Sequence, residues 1–282
     1  MTGAPIQWAG LRLAHTRVMG VLNVTPDSFS DGGRRVGHQA AIDAGSAMAE
    51  QGADIVDVGG ESTRPGAAPV PPDLEQERVV PVIRALAAGG IAVSVDTRNA
   101  ATMRAALGAG ARIVNDVSAL SHDPLAAAVV AEHGCPVVLM HMRGTPATMK
   151  VLAVYQDVLA EVRSELAESV AAAIGAGVRP DRIAIDPGLG FAKRAEHTQA
   201  LLRGLPGLGS LGFPLVVGVS RKSFIGAWSR EPQPDRRLGG SLAAGLFAAL
   251  QGASILRVHD VRETVHAISV WQALDVWQTS RG

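Results

Sequence analysis

Eight short runs of apolar and β-branched residues recur along the chain, separated by longer stretches rich in Ala and Leu. The runs read RVMGVLN, ADIVDVG, IAVSVD, ARIVND, PVVLMH, RIAIDP, PLVVGVS and SILRVH. Near-continuous apolar strands that alternate with helices are typical of a parallel sheet covered by helices. Eight such units in roughly 250 residues predict an α/β protein with a (β/α)₈ TIM barrel. An open doubly wound sheet is the alternative that the pattern leaves.

The chain shows no linker and no break in composition, so we expect a single domain. Several predicted helices end at a glycine just before the next strand, as in EQGAD, AEHG and LQGAS, which is typical of a helix C-cap. The predicted barrel covers residues 17–282. Residues 1–16 precede the first strand, and we expect this N-terminal extension to cover the end of the barrel where the strands begin.

Charge balance and cysteine content exclude several classes of function. The 282 residues include 26 Lys and Arg and 26 Asp and Glu, and a net charge of +0 gives no attraction to nucleic acid or anionic membranes. Cys135 is the only cysteine, so we expect no disulfide framework and a cytoplasmic protein. No apolar stretch approaches the roughly 18 residues of a membrane span. The first residues also lack the pattern of a signal peptide.

Each predicted strand ends in polar or ionisable residues. These are Asn23, the segment GGESTRPG (59–66), Asp96 with Thr97, Asn115 with Asp116, His141, Asp186, the segment SRKS (220–223), and Arg257 with His259. One such residue is usually a turn former or a helix cap. In a barrel, however, all eight strand ends meet at the face where active sites lie. Eight polar ends together therefore favour a functional site.

The residues at this face have two kinds of chemistry. Asp96, Asn115 and Asp186 supply acceptors, which suit a flat heterocycle that presents several N–H groups on one edge. A second group suits phosphate oxygens and a magnesium ion, and it consists of Asn23, Arg64, Arg257 and His259. Lys222 lies between the two groups in the sequence pattern. A phosphate site near the loops after strands 7 and 8 is also common in such barrels.

Several motifs of the chain resemble, in order, the signature of the dihydropteroate synthase family. They are GVLNVTPDSFSDGG, DVGGESTRPGA, SVDT, VNDVSAL, LMHMRGTPATM, DPGLGFAK, VGVSRKSFIG and RVHDV. The resemblance runs from about residue 18 to 277. It implies an enzyme of folate biosynthesis that joins 6-hydroxymethyl-7,8-dihydropterin diphosphate to p-aminobenzoate with Mg²⁺ and releases pyrophosphate. It also implies sensitivity to sulfonamides, and a homodimer formed through the late helices, where Trp271 and Trp277 lie.

The resemblance assigns roles to individual residues. The pterin ring would be held by Asp96, Asn115, Asp186 and Lys222, with Met140 packing on it and the glycine turn at Gly190 approaching it. The diphosphate would be held by Asn23, Arg64, Arg257 and His259, with Asn23 reaching the magnesium. The p-aminobenzoate pocket would be lined by Phe29, Thr63, Pro65 and Ser220. The catalytic residues would be Asp96, Asp186, Lys222, Arg257 and His259, and the loop from Thr25 to Gly33 would close as a lid.

Three other interpretations remain open at this stage. A non-catalytic pterin-binding relative would keep the fold but lose the lid motifs, which are intact here. A methyltransferase of the pterin-barrel type would need no diphosphate-binding arginines. Lys222 could also form a Schiff base, as in barrel aldolases. The sequence further leaves open whether His141 supports the site or only caps a strand, and whether Glu61 anchors a loop.

Overall fold

The computed structural model describes residues 7–24, 33–62, 66 and 68–279, and in these ranges the chain forms a parallel barrel. Two short antiparallel strands, β1 (Gln7–Trp8) and β2 (Leu11–Arg12), come first. The barrel strands are β3 (Arg17–Asn23), β4 (Ile55–Gly59), β5 (Val93–Asp96), β6 (Ile113–Asp116), β7 (Val137–Met140), β8 (Ile183–Asp186), β9 (Val216–Gly218) and β10 (Ile255–Val258). They pair in the order β9-β10-β3-β4-β5-β6-β7-β8. A parallel bridge between Ile185 and Leu215 joins the two ends. The predicted barrel is therefore confirmed, and the open sheet is excluded.

Helices surround the barrel. They are α1 (Gly33–Glu50), α2 (Pro72–Ala88), α3 (Ala100–Gly108), α4 (Ala126–His133), α5 (Val158–Gly175), α6 (Ala195–Arg203), α7 (Leu205–Gly209), α8 (Ser223–Ser229), α9 (Leu238–Leu250) and α10 (Val261–Thr279). The Asp157 carboxylate caps α5 by accepting from the backbone N–H groups of Leu159 and Ala160. Gly134 ends α4 in the left-handed conformation, with φ +58°. No helix of the described residues is long and apolar enough to cross a membrane.

The bottom of the barrel, where the strands begin, is filled by apolar side chains. They are Met19, Ile55, Ile113, Val138, Ala184, Val216 and Ile255, and Trp8 packs against them from the β1–β2 hairpin. The Trp8 indole is 2% exposed and donates to the Arg182 carbonyl at 2.9 Å. The hairpin thus covers the beginning of the strands. The division of the chain at residue 16 stays a prediction.

The alternation of side chains along a strand then places polar residues above this layer. Residues two positions apart point to the same side of a strand, so Asp57 follows Ile55 into the interior. By the same alternation, Asn115 points inward like Ile113, and Arg257 points inward like Ile255. Asp186 and Met140 follow Ala184 and Val138 in the same way. The interior is therefore apolar at the bottom and charged toward the carboxyl ends of the strands.

Candidate active site

Four polar side chains from four strands meet inside the upper barrel. Arg257 donates from Nε to Asp57 Oδ2 at 2.7 Å and from Nη2 to Asp96 Oδ2 at 2.6 Å. Asn115 Nδ2 donates to the same Asp57 oxygen at 3.0 Å. Asp57 is fully buried, and its Oδ1 has no hydrogen-bond partner within the described part of the chain. Asp57 thus orients both Arg257 and Asn115, and Arg257 connects two carboxylates.

Burial and ion pairing act in opposite directions on the ionisation of this cluster. Burial raises the pKa of the Asp96 carboxyl to about 7, against the opposing effect of Arg257. Burial also acts to lower the pKa of the Arg257 guanidinium, but Asp57 and Asp96 outweigh it and raise that pKa above its ordinary value. Arg257 therefore keeps its charge, whereas Asp96 can change its protonation state near neutral pH.

A second group of polar side chains lies across the mouth, at the ends of β8 and β9. Asp186 Oδ1 accepts from the Gly188 N–H at 2.7 Å, and burial raises the pKa of its carboxyl while Lys222 opposes that rise. Lys222 Nζ donates to the Leu189 carbonyl and lies 4.9 Å from the centroid of the Phe191 ring. Burial lowers the pKa of the Lys222 ammonium to about 8, and Asp186 opposes this effect. Asp186 and Lys222 thus stabilise each other's charge, and burial opposes the charged form of both groups.

Backbone turns bring the chain close to this pair. Gly188 and Gly190 have φ values of +63° and +83°. A Cβ at Gly190 would lie 3.5 Å from Lys222 Cδ, so the backbone passes directly beside that lysine. Met140 is buried on the neighbouring strand, in register with Asp186. The structure therefore brings the predicted Met140, Asp186, Gly190 and Lys222 together.

We expect Gly188→Ala to destabilise the protein far more than an ordinary glycine substitution. A Cβ at Gly188 would lie 1.9 Å from the His141 carbonyl oxygen, in addition to the strain of its positive φ. Gly90→Ala is the matched control because Gly90 has φ +80° and open space around its Cβ. That strain alone costs roughly 1–2 kcal/mol. Thermal unfolding of the two variants measures the difference, and equal shifts would contradict the close contact.

Ser220 and His259 meet at the end of β10. The Ser220 hydroxyl accepts from the His259 backbone N–H at 3.2 Å and lies 3.1 Å from its Nδ1. Between Ser220 and Lys222, the Arg221 side chain pairs with Asp260, and the Arg221 N–H donates to Ser241 Oγ at 2.9 Å. These contacts fix the turn that carries Ser220 and Lys222.

Only some of the residues predicted in the first two loops lie within the described part of the chain. Asn23 is exposed at the end of β3, opposite Gly59 in register. Phe29, Thr63, Arg64 and Pro65 lie outside the described residues, as does most of the predicted lid from Thr25 to Gly33. Glu61 accepts from Arg98 through both carboxylate oxygens and from the Val70 N–H at 3.1 Å. Glu61 therefore anchors the loop after β4.

His141 is held on both sides of its ring. Its Nε2 lies 2.9 Å from Glu165 Oε2, and its Nδ1 lies 2.8 Å from Lys193 Nζ. Burial lowers the pKa of the His141 imidazole to about 4, and the Lys193 ammonium adds to this effect. Since a lysine donates and a carboxylate accepts, the neutral ring carries its proton on Nε2. His141 thus has two side-chain partners and is more than a strand cap.

The sequence interpretation missed Asp57 and Lys193. Asp57 lies inside the run ADIVDVG rather than at its end, and the signal for it was a carboxylate in an otherwise apolar strand. Lys193 lies in DPGLGFAK and is one of only three lysines in the chain. Its burial to 8% exposure becomes visible only once β7 and β8 lie side by side.

Comparison with known proteins identifies the family of this chain. The family of pterin-binding enzymes matches residues 19–259, which defines the chain as a barrel enzyme of the pterin-binding class. A dihydropteroate synthase of Mycobacterium leprae is 50% identical over 266 residues, which cover 92% of this chain and 94% of the relative. The chain therefore belongs to the dihydropteroate synthase family.

Solved structures extend the similarity to the fold. Dihydropteroate synthase of Xanthomonas albilineans with 4-aminobenzoic acid has a TM-score of 0.90 and 48% identity, covering 97% of this chain and 99% of that one. The same enzyme in complex with 7,8-dihydropteroate has a TM-score of 0.86 and 47% identity, covering 94% and 95%. The interpretation of the sequence as a member of this family is confirmed.

Proposed function

We propose that the protein condenses 6-hydroxymethyl-7,8-dihydropterin diphosphate with p-aminobenzoate, which gives 7,8-dihydropteroate and pyrophosphate. The observation that carries this proposal is the cluster of Arg257, Asp96 and Asn115 opposite Asp186 and Lys222 at one mouth of the barrel. The ligands of the Xanthomonas structures, 4-aminobenzoic acid and 7,8-dihydropteroate, support the same substrates. Sulfonamides, which resemble p-aminobenzoate, are expected to compete with it.

The pterin ring would bind between the two halves of the cluster. Asp96, Asn115 and Asp186 offer hydrogen-bond acceptors from three strands, which suit the N–H groups on one edge of a pterin. Lys222 would donate to a ring acceptor. Met140 would pack on the ring face, and the backbone at Gly190 would approach its edge. The low exposure of Asp96 and Asp186, 8% and 6%, makes each contact stronger than it would be in water.

The diphosphate would bind toward solvent, at Asn23, Arg64, Arg257 and His259. Arg257 gives two of its five N–H groups to Asp57 and Asp96, and the others would bind phosphate oxygens. His259 directly follows the same strand. Magnesium is commonly held by one or two protein oxygens together with substrate phosphates, and the exposed Asn23 amide fits that arrangement. When bound, the ion would neutralise charge on the departing pyrophosphate.

The charges of the site can carry the reaction without a protein nucleophile. We propose a dissociative step, in which the carbon–oxygen bond to the diphosphate breaks first and leaves a cation on the pterin methylene. The amine nitrogen then attacks this carbon and loses one proton to the pyrophosphate or to water. Asp96 and Asp186 would stabilise positive charge that develops on the pterin, while Arg257 stabilises the leaving group. Phe29, Thr63, Pro65 and Ser220 would hold p-aminobenzoate in line and exclude water. His259, hydrogen-bonded to Ser220, would connect the diphosphate and p-aminobenzoate sites.

The test of this function is an end-point assay of the purified protein with both substrates and Mg²⁺, read by mass for dihydropteroate. We expect product in the complete mixture and none when either substrate is omitted or the metal is chelated. Tight pterin binding without product would favour the non-catalytic relative. Product formed equally well after chelation would contradict the role given to magnesium.

We also propose that the protein is a homodimer whose contact includes the groove between α6, α8 and α9. This groove has a volume of about 380 Å³ and is lined by Leu202, Ile225, Trp228, Ala244 and Phe247, among others. Trp228 and Phe247 are 47% and 38% exposed. Leu250 on α9 and Leu274 on α10 are exposed as well. A groove rimmed by exposed apolar side chains is typical of an interface.

We expect Phe247→Glu to produce a monomer, because a carboxylate would be buried without a partner in the interface. Sedimentation should show twice the chain mass of 29.1 kDa for the unmodified protein and a single chain mass for the variant. Leu125→Glu, at a residue 64% exposed on another face, is the control and should remain dimeric. A monomeric unmodified protein would contradict the proposal.

Trp271, predicted at this contact, lines a separate cavity beside Leu13. The Trp277 side chain lies outside the described residues.

We propose a cytoplasmic location. A single cysteine fits a reducing compartment. Its thiol is buried, and burial raises its pKa to about 11, so Cys135 is unreactive.

A further inference from the structure

The loop after β8 has an unusual backbone. Three alternate residues, Gly188, Gly190 and Ala192, have φ values of +63°, +83° and +48°. Only glycine adopts this region without cost, so the buried alanine at position 192 stores backbone strain. A loop of this shape needs contacts from outside itself to hold it. His141 on the neighbouring strand end supplies those contacts, through Lys193 at the end of the loop.

Lys193 is a buried lysine that turns back across its own loop. Its Nζ lies 2.8 Å from His141 Nδ1, and it donates to the Phe191 carbonyl at 3.0 Å and to the His141 carbonyl at 3.4 Å. Burial lowers the pKa of this ammonium to about 7, while Asp186 opposes the change. A buried ammonium held by neutral acceptors costs free energy. The Lys193 ammonium nevertheless lies buried where the ends of β7 and β8 meet.

His141 connects Lys193 to helix α5. The other ring nitrogen of His141 donates to Glu165 at 2.9 Å, and Glu165 also accepts from Arg143. Arg143 is fixed in turn by Glu161 at 2.8 Å and by the ring of Tyr155, whose centroid lies 4.1 Å from the guanidinium carbon. The chain of contacts thus runs from a rigid helix through His141 to Lys193 and the strained loop.

The loop held in this way supplies three contacts to the active site. The Gly188 N–H donates to Asp186, the Leu189 carbonyl accepts from Lys222, and the Phe191 ring lies beside the Lys222 ammonium. A shift of the loop would alter both of the charged groups proposed to hold the pterin. Misplacement by about 1 Å can cost roughly 100-fold in activity.

We propose that Lys193 is a positioning residue, which through its bond to His141 holds the loop of residues 187–193 in the shape that presents Asp186 and Lys222 to the pterin. It acts through these neighbours and does not touch the substrate. The inference rests on the proposed function, since it names the support of the proposed pterin site.

The test compares Lys193→Met with Lys150→Met, a control at an exposed lysine. Calorimetry with dihydropterin diphosphate and Mg²⁺ measures affinity without any turnover. We expect the affinity of Lys193→Met to fall on the order of 10-fold, and KM for the same substrate to rise in parallel more than kcat falls. We expect its melting temperature to stay within about 3 °C of the unmodified protein, since the change also removes a buried charge.

Two substitutions of His141 separate its partners. His141→Asn keeps an acceptor near Lys193 but loses the hydrogen bond to Glu165. His141→Gln keeps a donor for Glu165 but loses the hydrogen bond to Lys193. We expect His141→Gln to weaken pterin affinity more than His141→Asn. We also expect Lys193→Met to add nothing further to His141→Gln, because both remove the same bond.

Unchanged pterin affinity in Lys193→Met would overturn the inference, as would unchanged affinity in His141→Gln. A loss of affinity that appears only together with a large fall in melting temperature would also overturn it, since that result indicates a purely structural lysine. The proposed function fails separately, if the unmodified protein binds dihydropterin diphosphate but forms no dihydropteroate.

Discussion

Replacing Asp96 by asparagine is expected to lower kcat by roughly 10²–10³-fold, the effect of removing one preorganised group that stabilises transition-state charge. The side chain is 8% exposed, and its Oδ2 accepts from Arg257 at 2.6 Å. Asparagine has the same size and can still accept from Arg257, so the fold should persist. What the variant lacks is the negative charge beside the pterin. Steady-state kinetics with both substrates measures the loss.

Asp43→Asn is the control for Asp96→Asn, because Asp43 is exposed on α1. It makes the same chemical change away from the barrel mouth and should leave kcat unchanged. Turnover of Asp96→Asn at the rate of the unmodified protein would contradict the role of the Asp96 charge. A large fall in melting temperature would point instead to a structural role.

The pH dependence of kcat/KM gives a second measure of the same charge. Burial raises the pKa of Asp96 to about 7, so the carboxylate gains a proton as the pH falls through that value. The active carboxylate is therefore lost on the acid side, and kcat/KM should fall there. Asp96→Asn should lack this acid limb. A limb that is identical in both proteins would come from the substrate or from another group.

Arg257→Ala is expected to have the second large effect, on stability as well as on binding. The substitution leaves Asp57 and Asp96 buried without their shared cation. Removing one partner of a buried ion pair costs about 3–5 kcal/mol. Affinity for dihydropterin diphosphate should fall much more than affinity for a p-aminobenzoate analogue. Chemical denaturation and calorimetry measure the two effects.

Arg257→Lys tests the role of this arginine in binding if the alanine variant does not fold. Lysine retains a positive charge near the carboxylates but loses the planar fork that reaches Asp57 and Asp96 together. We expect it to fold and to bind the diphosphate substrate weakly. Arg179→Ala is the matched control, because that arginine pairs with Asp181 at the surface. Equal losses of affinity for both ligands would show that Arg257 does not bind the diphosphate.

The barrel could be predicted because it depends on local patterns. The first strand was predicted at its observed bounds, Arg17–Asn23, since its apolar run ends at a polar residue. Other strands are shorter than predicted, as in β9 (Val216–Gly218), where the run PLVVGVS continues into the turn that carries Ser220. The short helices α7 and α8 were not predicted, because segments of five and seven residues carry too little periodicity.

The active site could be predicted only where residues lie at strand ends. Asp96, Asn115, Asp186 and Arg257 were found in this way. Asp57 was missed because it lies one step deeper in its strand, although the alternation of side chains from Ile55 would have placed it inside. The contact of Lys193 with His141 joins residues 52 positions apart, and no local pattern reports such a contact.

The proposed function requires that the pterin binds among Asp96, Asn115, Asp186 and Lys222, with the diphosphate toward Arg257 and His259. A crystal structure of the protein with 7,8-dihydropteroate, pyrophosphate and Mg²⁺ would show where each group binds. We expect the pterin edge within hydrogen-bond distance of the two aspartates and Lys222, and pyrophosphate oxygens on Arg257. A pterin bound elsewhere, or with its ring edge turned away from both aspartates, would contradict it.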